Sequence, residues 1–362
     1  MRVIDLLQYT VDKGASDLHL KAGNQPHIRV DGRLEPGPFE KITAEDTEAI
    51  AFELMPLRKA EAFKDTSEAD FSYSLEGVGR FRVNVFSQRG QVGLAIRRIR
   101  ADIPTFEELG LPPVVQTLAE TTRGLILVTG PTGVGKTTTI GALIGYINRT
   151  RRAHIVTMED PIEMVHDDIL SLVDQREIGV DTMSYADGMR HVLRQDPDVI
   201  FIGEIRDSES IIAAMQAAET GHVVISTLHT IDATETVNRV IDLFPEHLQR
   251  EARVSFAGSL RGIISQRLVN KADTGGRVPA VEILINTGRV YERIVDPEET
   301  FSIKDVIVEG QYYGMQTFDQ ALVSLVRDGA VTEEDARSVS SNPHDFMLAL
   351  RGVLERGGAK TE

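Results

Sequence analysis

Gly130-Pro-Thr-Gly-Val-Gly-Lys-Thr137 follows an apolar run, Gly124-Leu-Ile-Leu-Val-Thr129, and precedes a stretch with Ile140, Leu143, Ile144 and Ile147 at helical spacing. The eight residues satisfy the full G-x-x-x-x-G-K-[ST] pattern, and a buried strand, a glycine loop and a helix in that order are the context the pattern requires. Gly130, Gly133 and Gly135 let the backbone approach phosphate oxygens and aim N–H groups at them, where side chains would obstruct. Pro131, Thr132 and Val134 complete the loop. Lys136 reaches the β- and γ-phosphates, and Thr137 offers its hydroxyl to Mg²⁺. A helix expected from Thr138 to about Asn148 points its positive end at the anion. The stretch therefore implies ATP with Mg²⁺, held by residues 130–138.

The 362 residues allow two or three domains with real cores. Fifty-five acidic against 39 basic residues leave a formal charge of −16, which repels a phosphate backbone and argues against nucleic acid as a partner. Tryptophan is absent too, so a stacking platform for single strands is not expected. Met1-Arg-Val-Ile-Asp5 opens directly into an amphipathic helix, and no run of about 18 apolar residues follows, so a cytoplasmic protein is expected. The absence of cysteine excludes disulfides, thiolate zinc sites and cysteine nucleophiles.

Along residues 1–97, short alternating strands (27–30, 71–75, 79–86, 92–97) mix with helices near 2–13 and 43–65, an α+β pattern. The proline and charges of Arg98-Ile-Arg-Ala-Asp-Ile-Pro-Thr105 interrupt it, which places a domain boundary at 100/101. Beyond it, apolar strands at 124–129, 154–158, 198–203 and 222–227 alternate with helical stretches, the signature of a parallel sheet with crossover helices. After a core reaching to about 287, the pattern over 288–362 is helical, through 289–295, 317–327, 332–340 and 342–356.

Hydrolysis requires an aligned water and stabilisation of the γ-phosphate charge. Ile155-Val-Thr-Met-Glu-Asp-Pro-Ile-Glu163 puts Glu159, Asp160 and Glu163 past the carboxyl end of a strand, the edge at which open α/β sheets bind ligands. Glu163 is the expected base. Asp198-Val-Ile-Phe-Ile-Gly-Glu-Ile-Arg206 is an apolar strand ending in Glu204, expected on the Mg²⁺ side with Thr137. Gly203 stands where an aspartate would complete the usual pattern, and spacing alone leaves the roles of Glu163 and Glu204 exchangeable. Gly221-His-Val-Val-Ile-Ser-Thr-Leu-His-Thr230 brackets a strand with two histidines. His229, at its carboxyl end, is placed to sense the γ-phosphate; His222 reads equally well as a hydrogen-bonding fold residue.

The boxes Gly130–Thr137, Glu159–Glu163, Gly203-Glu-Ile-Arg-Asp207 and Ser226-Thr-Leu-His-Thr230 resemble the Walker A, aspartate, Walker B and histidine boxes of the secretion-type ATPases. Ala15-Ser-Asp-Leu-His-Leu20, Arg80-Phe-Arg-Val-Asn84, Gln88-Arg-Gly90 and Gly314-Met-Gln-Thr-Phe-Asp319 extend the likeness across nearly the whole chain, toward the type IV pilus retraction ATPases. The resemblance implies an α/β chain with an N-terminal α+β PAS-like domain (1–100) followed by a RecA-like P-loop ATPase domain (101–362) with a helical C-terminal part. It further implies a homohexameric ring with nucleotide between the domains, and arginines at positions 82 and 97 that move onto the triphosphate. Asp17 and His19 read as fold residues. An inner-membrane pilus platform protein and a second retraction ATPase are the implied partners, which would hold the chain at the inner face of the membrane. Assembly and type II secretion ATPases, the nearest alternative, are usually longer and often carry a four-cysteine element. A non-catalytic regulatory ring subunit, the alternative of another class, sits poorly with intact Lys136, Thr137, Glu163 and Glu204. Where the retraction family reads Ala-Ile-Arg-Asn-Leu-Ile-Arg, this chain has Arg289-Val-Tyr-Glu-Arg-Ile-Val295, a departure that bears on the direction of work and not on hydrolysis.

Overall fold

In β4 (Glu68–Leu75) and β5 (Gly79–Gln88) every second side chain is apolar, so the two faces separate. Phe71, Phe81, Val83 and Val85 enter a core, while Ser72, Arg80, Arg82 and Asn84 take the other face. This is seen in a computed structural model that describes residues 2–30, 32–99, 103–272 and 275–352. With β1 (Asp17–Lys21), β2 (His27–Val30), β3 (Arg33–Pro36) and β6 (Gln91–Ile99), these strands form an antiparallel sheet of order β3-β2-β1-β6-β5-β4. Helix Val3–Asp12 buries Val3, Leu6, Leu7 and Thr10, one stripe at helical spacing, in the same unit's core.

The single helix expected over 43–65 is two helices. Ala44–Leu54 starts at a capping box made by Thr43 and Asp46, and Leu57–Thr66 follows. Pro56 explains the break, because its ring disfavours the helical conformation in the preceding residue and it has no N–H to donate. Met55 is accordingly extended, at φ −72° and ψ 132°. Strands β1 and β3 are additional to the expected ones: β3 is exposed along its whole length and shows no apolar alternation, whereas β1 does alternate, with Leu18 and Leu20 buried.

The second sheet has the order β13-β12-β7-β11-β10-β8-β9. Its strands β7 (Gly124–Thr129), β10 (Val199–Ile202) and β11 (Val223–Leu228) are buried throughout, as strands covered on both faces must be, and they pair in parallel. β8 (His154–Glu159) lies where alternation places it. Three strands were not anticipated: β9 (Leu172–Glu177), β12 (Leu260–Asn270) and β13 (Arg277–Ile285). β12 runs parallel to β7, and β13 returns antiparallel to β12 from Asn270↔Arg277 to Gly262↔Ile285. β9 carries too few apolar residues to declare a strand, and the β12–β13 hairpin breaks the strand–helix alternation on which the expectation rested.

By compactness the chain divides into two units. One comprises Met1–Ile103, Met158–Asp167 and Gln175–Gly188; the other comprises Pro104–Thr157, Asp168–Asp174 and Met189–Glu362. The expected boundary at 100/101 lies outside the described residues. Past 288 the described chain is helical, in Gly288–Val295, Ile303–Glu309, Phe318–Arg327, Glu333–Val339 and Pro343–Leu350. The last of these stops short of the expected 356, and residues beyond 352 lie outside those described. Among the described residues no helix is long and apolar enough to cross a membrane.

One buried carboxyl ties this second sheet to the segment after β11. Glu282 on β13 is 4% exposed and accepts the N–H of Ala233, the first residue of helix Ala233–Asp242, at 2.9 Å. Burial pushes its pKa from 4.5 up to about 7, against the pull of the Ala233 N–H. Between those two values the folded chain keeps a proton that the unfolded chain has released, so the contribution is present below the lower pH and lost as pH rises through about 7. Glu282→Gln retains the acceptor and cannot ionise. Thermal midpoints at pH 5 and pH 8 should therefore lie closer together in the variant than in the parent, and an unchanged gap would exclude this carboxyl as the source.

Candidate nucleotide site

All three glycines of the phosphate loop have positive φ, and two of them also sit where a Cβ would collide with Gln266. Gly130 has φ +142°, and a Cβ there would come within 2.6 Å of the Gln266 carbonyl oxygen. Gly135 has φ +91° and would place a Cβ 2.9 Å from the Gln266 side-chain nitrogen. The helix begins at Lys136, two residues before the expected start, because Gly135 adopts the left-handed conformation that caps it, and it continues to Thr150. The Lys136 ammonium donates to the carbonyls of Gly130 (2.6 Å) and Pro131 (3.0 Å), which holds a cation within the loop.

Gln266 is a site residue that sequence reasoning missed. It is 2% exposed on β12, donates from Nε2 to the Val134 carbonyl (2.7 Å) and accepts the Thr139 hydroxyl at Oε1 (2.7 Å). It thus clamps both the loop and the first turn of the helix. The only signal was three polar residues, Ser265-Gln266-Arg267, between the apolar pairs Ile263-Ile264 and Leu268-Val269, and Ser265 in turn accepts the Thr129 hydroxyl at 2.8 Å.

The parallel strands deliver Glu204 and His229 to the same sheet edge. β11 pairs with β7 up to Leu228↔Thr129, so His229 and Gly130 both follow at the carboxyl ends of neighbouring strands. On β11's other side, the Thr227 hydroxyl donates to the Gly203 carbonyl at 2.7 Å, which brings the end of β10 alongside. Glu204 then has both oxygens engaged: Oε1 lies 3.2 Å from His229 Nε2, and Oε2 accepts from Arg206 Nε at 2.9 Å. A depression of about 350 Å³ lined by Glu204, Arg206, His229, Thr230, Glu235 and Arg239 adjoins them. His222 enters β11 at the opposite end, where its Nδ1 lies 2.9 Å from the Ala217 carbonyl oxygen and 3.3 Å from the Thr220 hydroxyl, so it serves the fold.

Glu163, Arg82 and Arg97 belong to the other unit. Arg82 and Arg97 are cross-strand partners on β5 and β6, so two guanidinium groups leave adjacent positions. Each has acidic company. Arg82 reaches Glu163 Oε1 (3.4 Å) and Asp70 Oδ1 (3.8 Å), while Arg97 Nε donates to Asp17 Oδ1 at 2.9 Å. Burial works against ionisation of Asp17, but the Ser16 hydroxyl and Arg97 outweigh it and hold the carboxyl below the usual aspartate range. Arg97 is 71% exposed, while its partner Asp17 is only 12% exposed, so the guanidinium faces solvent from a carboxylate that is largely enclosed. Burial pushes the His19 pKa down, and its Nε2 is enclosed without a partner among the described residues. Glu159 is buried and accepts from Gln175 Nε2 at 3.0 Å, which gives it a structural task, while Asp160 stands exposed beside it.

Among the described residues no cluster of three or more His, Asp or Glu side chains could hold a metal by itself. Mg²⁺ does not need one, since it keeps several waters and takes one or two protein oxygens together with substrate phosphates. The Thr137 hydroxyl and the Glu204 carboxylate are oxygen donors of the kind it accepts.

A parallel sheet whose strand β7 feeds a G-x-x-x-x-G-K-[ST] loop and its helix defines a P-loop nucleotide-binding protein. Residues 3–305 match the family described as type II/IV secretion system protein. The type IV pilus retraction ATPase PilT of Pseudomonas aeruginosa is 41% identical over 346 residues, covering 96% of this chain and 100% of that protein. The type IV pilus ATPase PilU of the same organism is 39% identical over 346 residues, covering 96% of this chain and 90% of its own length. A crystal structure of the pilus retraction motor PilT with bound ADP superposes with a TM-score of 0.87 at 44% identity, over 95% of this chain and 98% of that one. This chain belongs to the type II/IV secretion system protein family.

Gln266→Ala should strand the Thr139 hydroxyl and the Val134 carbonyl and weaken nucleotide binding about tenfold, the equivalent of one buried polar interaction. Titration with a fluorescent ADP analogue reads this directly, and an affinity equal to the parent's would remove Gln266 from the site.

Proposed function

We propose that this chain is an ATP-hydrolysing motor that powers retraction of type IV pili. The observation that carries the reading is the convergence of the loop 130–137, Glu204 and His229 at one edge of a parallel sheet, in a chain similar to a retraction ATPase over nearly its whole length. In this reading residues 130–138 hold ATP, with Lys136 on the β- and γ-phosphates. Thr137 and Glu204 hold Mg²⁺, Glu163 orients the attacking water, and His229 senses the γ-phosphate. Arg82 and Arg97 are the cations that stabilise the transferring phosphoryl group, released from Glu163, Asp70 and Asp17 as the motor closes.

The finer architecture belongs to the same proposal. Residues 1–100 form a PAS-like domain and 101–362 a RecA-like ATPase domain whose core reaches about 287. Six copies form a ring, which a pilus platform protein holds at the cytoplasmic face of the inner membrane. Pseudomonas aeruginosa holds two pilus ATPases similar to this chain, at 41% and 39% identity, which favours a second reading in which the chain works as the companion of another pilus ATPase.

Lys136→Ala should abolish turnover. Glu163→Gln and Glu204→Gln should bind ATP yet hydrolyse it roughly 100-fold or more slowly, as expected for loss of a base or of charge stabilisation. Arg82→Ala and Arg97→Ala should lower kcat more than ATP affinity, because they engage in the closed state. Steady-state ATPase assays of the purified protein decide each case. Deletion of the gene should leave abundant surface pili and no twitching. Loss of the pili would move the chain to assembly, and unchanged motility would favour the companion role.

A further inference from the structure

β9 places two polar side chains two residues apart, Gln175 and Glu177, which therefore leave the strand on the same face. Both hold the segment that carries Glu163. Gln175 Nε2 donates to Glu159 Oε1 (3.0 Å) and to the Met164 carbonyl (2.8 Å), and its Oε1 accepts the His166 N–H (2.9 Å). Glu177 Oε2 accepts the N–H of Ile162, the residue before Glu163, at 3.5 Å.

The same carboxylate reaches the antiparallel sheet of its own unit. Its Oε1 accepts the Ser72 N–H at 3.0 Å, and its Oε2 accepts the Ser72 hydroxyl and lies 3.4 Å from an Arg80 guanidinium nitrogen. Arg80 also donates to the Ser72 hydroxyl at 2.5 Å. Glu177 is 3% exposed, and a buried carboxylate is tolerated only where donors of this kind saturate it. Removing it would leave two backbone N–H groups without this acceptor and Arg80 without its counter-charge, with only the Ser72 and Ser74 hydroxyls to accept from it.

The spacing on β5 gives the network its consequence. Arg80 and Arg82 are two residues apart and share a face, and Ser72 is the cross-strand partner of Arg82. Anchoring Ser72 and Arg80 to Glu177 therefore sets the backbone from which Arg82 meets Glu163 at 3.4 Å, while the bond to Ile162 sets the backbone from which Glu163 meets Arg82.

We propose that Glu177 is a positioning residue for turnover: with Ser72 and Arg80 it fixes the loop bearing Glu163 against the strand bearing Arg82. The inference rests on the reading of Glu163 as the group that orients water, and it adds the side chain that holds that group in place. Glu177 itself takes no part in phosphoryl transfer.

The test uses the purified full-length protein and four variants, Glu177→Gln, Ser72→Ala, Glu163→Gln and the double variant E163Q/E177Q. ATPase kinetics and equilibrium binding of a fluorescent ATP analogue are measured for each, with thermal melting as the control for folding. Glu177→Gln should lower kcat roughly 10- to 100-fold, the scale of a misplaced reacting group, with analogue affinity within about twofold of the parent. Ser72→Ala should lower kcat in the same direction by less, and it carries the test alone if Glu177→Gln does not fold. The double variant should be no slower than Glu163→Gln, because a positioning residue has nothing left to position. Losses that multiply in the double variant, or parental kcat in both Glu177→Gln and Ser72→Ala, would overturn the proposal. Full turnover in Glu163→Gln would instead remove Glu163 as the base, and the positioning role with it.

Discussion

Parallel pairing of β7 with β11, and of β11 with β10, is the constraint on which the site depends. Strands that run the same way end at the same edge, so the loops that follow them must emerge together whatever their separation in sequence. Residues 130, 204 and 229 meet for that reason alone. The strands can lie at the centre of a sheet because their side chains are mostly apolar on both faces, with the few hydroxyls hydrogen-bonded, and the same apolarity confines the charged residues to the loops at the strand ends. Chemistry at the edge and stability in the middle are two results of one pattern.

The antiparallel sheet of the first unit divides its labour differently. One face of β4 and β5 is core, and the other carries charge, so a single hairpin both stabilises its unit and presents Arg80 and Arg82. Two arginines side by side on adjacent strands repel, and the acidic residues 17, 70 and 163 offset that repulsion. The pairs of the half-buried Arg82 and the open Arg97 leave the guanidinium groups reachable from solvent, as suits groups that have to change partners, whereas in the Arg80–Glu177 pair the carboxylate is enclosed and held by several donors, as suits a fixed point.

Legibility followed the strength of local signals. The phosphate loop was readable because its glycines, lysine and threonine answer demands that no other residues meet at those positions, and β7 announced itself by an unbroken apolar run. The break at Pro56 was readable in principle, since the restriction a proline places on its predecessor is local, and helical periodicity on both sides obscured it. β9 offered little to read, because its side chains are chosen for the hydrogen bonds they make to the carboxylate loop and not for burial.

The sequence by itself determined the nucleotide-binding class, the central parallel strands and the identity of Lys136, Thr137, Glu163, Glu204 and His229 as residues worth asking about, because each sits in a motif whose spacing has a local physical meaning. Only the tertiary structure decided that Gln266 clamps the phosphate loop, that His222 is tied to a helix end, that Glu282 is buried enough to hold its proton near pH 7, and that Glu177 joins Arg80 to the segment of Glu163. Those roles come from pairings between residues as many as 132 positions apart. A hydrogen bond over that separation leaves no periodicity in the chain, since its partners are selected by register and burial and not by their neighbours in sequence.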